Sequence, residues 1–501
     1  MDKRNFNRWP KAIALGLAGL LVASLLVACG DTTTTSAPAA APTQAVINLT
    51  AAPNVTTQAA STTIAATTQA AGTTIAATTQ VVSTTAAATT AAPQPTSTAV
   101  PAPATTAAAL PPVGNTYPAG PAPTAAPPTG GAVSTTLQVP AQLKTGRFDT
   151  PRTLQVPNGF SVSLFALAPG SPRFGTISPD GLLFVSLRDA GRIVILKDNG
   201  QGFSPDPQTF ADGLNGPHGL AFHEYQGQTY LYVAENNRVS RFPYKNGLAR
   251  ADKRETIVPS LPTGGNHTSR TLAFGPDGKL YVAAGSTCNV CEEQDPRRAA
   301  VMQYNADGTG ERIFASGLRN EVGLAFNPQT GELWGTENSR DSIGNDIPPE
   351  EINIIKDNGN YGWPYCYSNQ VFDTNFGRKN ADYCKQTTSP ALPMQAHSAP
   401  LGITFYNGQQ FPASFQGSAF VGFHGSWNRQ PKTGYKVVRV QVENGRPTRY
   451  EDFITGWLDN ASQNEWGRPV DVIAAPDGSL FVTDDSANAI YRVTYNKTAS
   501  R

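Results

Sequence analysis

Imidazole and guanidinium groups recur at one kind of position in this chain, just ahead of a short apolar stretch. His218 precedes Gly219-Leu220-Ala221-Phe222, and His267-Thr268-Ser269-Arg270 precedes Thr271-Leu272-Ala273-Phe274. Arg319-Asn320 stands before Gly323-Leu324-Ala325-Phe326, His397 before Gly402-Ile403-Thr404-Phe405, and Arg468 before Asp471-Val472-Ile473. Cationic donors and imidazoles that converge on one cavity suit an anionic or carbonyl-bearing ligand, with histidine able to accept a proton near neutral pH. Taken singly, each is equally readable as a loop residue bonded to backbone. The pattern matters because it repeats.

The apolar stretches are themselves part of a repeat. An apolar strand, a tight turn and a second strand of the Leu-Phe/Tyr-Val kind return along the chain. Gly175 to Val185, Leu272 to Val282 and Val472 to Val482 each carry Pro-Asp-Gly at the turn. Further copies begin at Gly219, Gly323 and Gly402. Proline presets φ and glycine accepts positive φ, so each copy reads as a hairpin. Intervals of about 45 to 75 residues suit four-stranded blades with loop insertions. The expectation is an all-β, six-bladed β-propeller over residues 150–497, with ligands at one mouth of its channel.

The N-terminal part has a different texture. Lys3, Arg4, Arg8 and Lys11 precede an apolar run from Ala12 to Ala28, the pattern of a secretory signal. It ends in Leu26-Val27-Ala28-Cys29, like a bacterial lipobox, which predicts a lipoprotein signal peptide over 1–28 and lipidation of Cys29. An uncleaved membrane anchor is the alternative. Either way the rest of the chain lies outside the cytoplasm, attached to the cell membrane. Residues 29–145 are rich in Thr, Ala and Pro and nearly uncharged, so burial cannot offset backbone entropy. A disordered stalk is expected there.

The formal net charge is +1, with charged residues at 15 %, which supplies no phosphate-neutralising surface for nucleic acid. Setting Cys29 aside, four cysteines remain. In an oxidising compartment they pair most simply as Cys288–Cys291 and Cys366–Cys384. Glu292 after Cys291 excludes a c-type haem motif, and a zinc site lacks a second nearby pair.

His267-Thr268-Ser269-Arg270 followed by Phe274-Gly275-Pro276-Asp277-Gly278 resembles a segment of the quinone-dependent glucose/sorbosone dehydrogenases, six-bladed propellers that use pyrroloquinoline quinone (PQQ). Gly317-Leu318-Arg319-Asn320, Asn360-Tyr361-Gly362-Trp363-Pro364 and Gly467-Arg468 are similar to further motifs of that family. Cys288-Asn289-Val290-Cys291, Tyr365-Cys366-Tyr367 and Gly425-Ser426-Trp427-Asn428-Arg429 lean towards its sorbosone branch. The resemblance runs from Leu154 to Tyr495. It implies oxidation of an aldose or sugar aldehyde, with His267 as general base and Arg319 polarising the acceptor. It further implies cofactor contacts from Asn320, Arg468, Arg429, Tyr361 and His218, and an external electron acceptor. A Ca²⁺ ion is implied in the loop holding Glu337, Asn338 and Asp341, where oxygen ligands suit a hard cation. This chain departs from the glucose dehydrogenases at Val470, where they carry a second arginine, and in lacking a Gly-Pro pair after Trp334. Two alternatives stand beside this reading: a metal-dependent lactone hydrolase of the gluconolactonase type, and a non-catalytic ligand-binding propeller.

Overall fold

The computed structural model describes residues 122–496. The expected signal peptide and Cys29 lie outside those residues, as does the stalk up to residue 121. Six blades, each with four antiparallel strands, stand around an axis, and the third gains a short fifth strand, Gly359–Asn360, paired in parallel with Arg312–Ser316. Their innermost strands are Pro172–Ile177, Leu220–Tyr225, Arg270–Phe274, Glu321–Phe326, Pro400–Phe405 and Pro469–Ala474. Each of these is the apolar stretch that opened a repeat, and each packs on the next to close the ring. The expected six-bladed propeller is therefore the fold.

Blades flanked by other blades bury both faces of their middle strands, which explains near-continuous apolar runs in place of clean alternation. Leu183–Leu187, Leu280–Ala284 and Ala419–Phe423 are buried at every position. The Pro-Asp-Gly turns behave as their chemistry dictates. Gly181, Gly278 and Gly478 take φ of +85°, +70° and +84°, and Asp277 and Asp477 accept the backbone N–H two residues on.

Ring closure comes from the two ends of the domain. Leu480–Asp484 and Ala489–Tyr495 join Pro469–Ala474, and the fourth strand of this sixth blade is Phe160–Leu167, from before the first blade. Behind the junction with the fifth blade, Phe160, Phe411, Phe415, Phe420 and Phe453 form an aromatic cluster with ring centroids 4.7–6.4 Å apart.

One boundary differs from expectation. The stalk was expected to run to residue 145, but Ala132–Thr136 forms a strand paired with Thr153–Pro157. Its β-branched Val and Thr residues suit an edge strand, and the pairing satisfies backbone groups that would otherwise face solvent. Both predicted disulfides are formed, Cys288–Cys291 and Cys366–Cys384.

Among the described residues the inner strands all start at one mouth of the channel. The loops joining second to third strands open at that same mouth, and three are long: 285–299, 338–349 and 424–435. Below it, Phe174, Val322, Leu401 and Val470 form an apolar plug, above a cavity of about 340 Å³ along the axis. Val470, the departure noted above, is thus fully buried in the plug. Because closure rests on one strand, deleting residues 1–167 should abolish cooperative thermal unfolding, whereas deleting 1–121 should leave the melting temperature unchanged. Calorimetry of the two truncations checks this.

Candidate active site

His267 sits where the third blade meets the fourth. Its ring Nδ1 lies 3.0 Å from the Ser286 carbonyl and 2.9 Å from Ser286 Oγ. That hydroxyl donates its own proton to the Cys288 carbonyl at 2.6 Å, so both oxygens accept from His267. Nδ1 therefore carries the hydrogen, and Nε2 is left as a lone-pair acceptor with no hydrogen-bond partner among the described residues. Burial, then the charges of Arg319, Arg298 and Arg270, pull the His267 pKa down to about 3. The ring is neutral at physiological pH, which leaves the Nε2 lone pair open.

Arg319 is reached through the same segment. The Ser286 N–H donates to the Arg319 carbonyl at 2.7 Å. The Arg319 side chain is buried. It donates to the Asn289 carbonyl and Oδ1, to the Asn338 carbonyl, and to Asp341 Oδ2 at 2.9 Å. Its backbone N–H donates to Glu337 Oε1 at 2.7 Å. Asn320 completes the group: a Cβ placed on Gly285 would fall 2.4 Å from Asn320 Oδ1 and 2.6 Å from His267 Cβ. Glycine at 285 is what lets these two side chains approach each other.

Several guanidinium groups near this mouth donate to backbone carbonyls. Arg270 and Arg298 both donate to the His267 carbonyl, and Arg468 donates to the carbonyls of His424 and Gly425. None of the three is in an ion pair among the described residues. Arg173 is paired with Asp485, yet the Nε atoms of Arg173, Arg188 and Arg270 are buried without partners. Burial, then the charge of Arg298, lowers the pKa of Arg270 to about 9. Such a set of buried, incompletely satisfied guanidinium groups favours a polyanionic ligand with planar oxygen acceptors.

Several expected site residues are placed otherwise. Tyr361 does not open onto the mouth: it is buried in the cluster with Phe314 and Leu318, and its hydroxyl donates to the Ile354 carbonyl. His218 is fully buried, its ring centroid 4.3 Å from that of Phe174, and its Nδ1 lies 3.2 Å from Thr271 Oγ1. Burial beside Arg173 and Arg188 holds it neutral. It packs directly against the plug residue Phe174. Arg429 is spent on the 338–349 loop, donating to the Asn345 carbonyl and to Asp346.

The expected calcium ligands do not act as a set either. Both Asp341 oxygens are engaged, one by Arg319 and one by Asn428 Nδ2 at 2.6 Å. Asn338 Nδ2 donates to the Pro400 carbonyl. Glu337, on a strand where side chains alternate, turns inward to meet Glu321, with Glu351 bridged to Glu321 through Asn353 Nδ2. Glu321 Oε1 and Glu337 Oε2 are buried without a partner. Burial raises Glu321 to about 8, Glu351 to about 7 and Glu337 above the ordinary range.

Sequence reasoning missed Asn289, read only as part of a disulfide spacing. It also missed His424, which accepts its role at the end of a second strand and so escaped a search confined to first strands. His424 Nε2 is 2.8 Å from Asp485, whose other oxygen meets Arg173 at 2.5 Å.

The TrAA12-like family model matches residues 154–496. This chain belongs to that family. An uncharacterised protein of Borreliella burgdorferi is 32 % identical over 362 residues, covering 69 % of this chain and 92 % of the relative. A pyrroloquinoline quinone-dependent sugar dehydrogenase of Hypocrea jecorina is 27 % identical over 409 residues, covering 67 % and 87 % respectively. The calcium structure of a Trichoderma reesei family AA12 carbohydrate-active enzyme superposes with a TM-score of 0.60 at 25 % identity, covering 68 % of this chain and 96 % of that one.

The buried acids of this TrAA12-like protein predict a pH dependence. Carboxylates with raised folded pKa values stabilise the fold at low pH and lose that contribution as pH climbs towards 8. Histidines with depressed values act oppositely, but their contribution is complete above 6.5. In metal-free buffer, stability should therefore fall between about pH 6.5 and 8, by up to about 1.4 kcal/mol per pH unit for each proton involved. Urea unfolding across that range measures it.

Proposed function

We propose that this protein oxidises an aldose or sugar aldehyde, with PQQ as hydride acceptor and calcium as a required ion, on the outer side of the cell membrane. The observation that carries the reading is His267: a neutral imidazole with Nδ1 pinned by Ser286 and Nε2 free, set in a ring of arginines. Membership of the TrAA12-like family and the sugar-dehydrogenase relative support the choice of chemistry.

Bound PQQ would supply a two-electron acceptor, which no protein side chain provides. The residues that fit it are Arg319, Asn320 and Arg468, whose donors border the mouth, with Arg270 and Arg298 adding positive potential behind them. In this arrangement His267 Nε2 accepts the proton of the anomeric hydroxyl, or of a hydrated aldehyde, as its C–H hydride leaves. Arg319 keeps positive charge beside the developing anion, in a buried setting where it acts strongly. The apolar plug of Phe174, Val322, Leu401 and Val470 denies water a path up the channel. Electrons then pass to an external acceptor, and the lipid at Cys29 tethers the domain.

For calcium we favour the buried carboxylates over the 338–341 loop. The calcium structure of the Trichoderma reesei enzyme supports the ion, and the unpartnered oxygens of Glu321 and Glu337 support the place. A lactone hydrolase would need carboxylates around the channel axis at the mouth, where this protein presents arginines and His267.

Full-length protein incubated with PQQ and Ca²⁺ should reduce an artificial dye in the presence of aldoses or sugar aldehydes, and should need both additives. His267→Ala should lower kcat at least about a hundredfold, as expected for a lost general base. Absence of PQQ binding and of dye reduction would remove this reading. Separately, Ca²⁺ should raise the melting temperature more at pH 8 than at pH 6, because it replaces protons on the buried carboxylates. Glu321→Gln/Glu337→Gln should abolish that increment.

A further inference from the structure

The loop after Ala284 is closed on itself by the Cys288–Cys291 disulfide, and its second residue faces Arg319. Asn289 offers the guanidinium two acceptors along one edge. Its carbonyl receives Nε–H at 3.0 Å and its Oδ1 receives Nη2–H at 3.0 Å. The same Oδ1 accepts the Asp341 N–H at 2.7 Å, and Nδ2 donates to the Asp341 carbonyl at 3.0 Å. Trp363 Nε1 adds a bond to the Asn289 carbonyl at 3.3 Å. Every polar group of the Asn289 side chain is committed.

This edge-on pair of acceptors has the geometry in which a carboxylate usually grips arginine. Asparagine supplies the geometry without the charge. Asp341 contributes a single oxygen to Arg319, its other oxygen being held by Asn428. Arg319 is therefore fixed in direction, with Asp341 as the carboxylate it pairs with among the described residues. The same loop reaches the base as well, since the Cys288 carbonyl accepts from Ser286 Oγ, which in turn accepts from His267 Nδ1.

We propose that Asn289, held in place by the disulfide-closed loop, is a positioning residue that orients Arg319 towards the reacting atoms without adding a second counter-charge beside that of Asp341. The inference rests on the function proposed above. A carboxylate at 289 would keep the acceptor but cancel charge. Loss of the side chain would release one edge of the guanidinium. Neither change touches the substrate directly.

The test compares full-length wild type with Asn289→Ala, Asn289→Asp and Cys288→Ser/Cys291→Ser. In the PQQ- and Ca²⁺-loaded enzyme, Asn289→Ala should lower kcat about tenfold with KM within about twofold, because orientation is lost and binding is not. Asn289→Asp should also lower kcat and should not rescue. The double serine variant should follow Asn289→Ala. A purely structural asparagine would instead leave the His267 titration unmoved in both variants. In the apoprotein, NMR titration of the His267 ring reads the clamp without any cofactor. His267 is faced by Arg319, Arg298 and Arg270, so a neutralised or displaced Arg319 should move its titration to higher pH in both Asn289 variants. Unchanged kcat in Asn289→Ala, rescue by aspartate, or an unmoved His267 titration overturns the proposal. If wild type neither binds PQQ nor oxidises sugars, the functional reading fails by itself, and the apoprotein titration still decides on the clamp.

Discussion

Everything at the mouth of this propeller depends on a closed ring, and the ring is closed by the pairing of Phe160–Leu167 with Ala489–Tyr495. Six hairpin repeats in a row have no reason to curve into a circle unless the last blade finds a fourth strand. Here that strand comes from ahead of the first blade, so the two ends of the domain share one sheet. The contact partners lie more than 300 residues apart along the chain, which makes them costly to bring together and strongly cooperative once joined. Closure then aims the starts of six inner strands at a single mouth. Residues as distant as Arg173 and Asp485 become an ion pair.

The charge arrangement within the ring is layered. Arginines gather at the mouth, where several donate only to carbonyls and three retain unpartnered Nε atoms. An apolar plug seals the channel beneath them. Within the fourth blade, Glu321, Glu337 and Glu351 are buried close to the backbone of Arg319. Buried charge of either sign is expensive unless something compensates it. The mouth is suited to an anion and the blade to a cation. The two requirements meet at Arg319, whose side chain serves one and whose backbone N–H serves the other.

The mouth holds a neutral imidazole, His267, close to an oriented guanidinium, Arg319. Ser286 does much of this positioning, although it reacts with nothing. Its carbonyl and hydroxyl set the His267 tautomer, and its N–H ties the segment to Arg319. Gly285 beside it leaves room for Asn320. A loop stiffened by a disulfide thus fixes the relative positions of groups supplied by two different blades.

How much of this was legible in the chain follows from what each feature needs. The blades were readable because hairpin turns and apolar strands are local: Pro-Asp-Gly before Leu-Phe-Val is its own evidence. His267, Arg319, Asn320 and Arg468 were readable because a repeat assigns equivalent residues to equivalent places. The disulfides followed from cysteine arithmetic. The roles of His218, Tyr361, Arg429 and Asp341 were not legible, because a side chain's direction depends on what packs against it. A ring packed on Phe174, a hydroxyl capped by Ile354 and a carboxylate captured by Arg319 are outcomes of packing between segments far apart in the chain. Asn289 and His424 stayed hidden for the same reason, since their partners lie on neighbouring blades. The sequence by itself determined the repeat, the turns and which residue types stand before each inner strand. Only the tertiary structure decided which of them face the mouth, because that choice is made by packing between segments far apart in the chain.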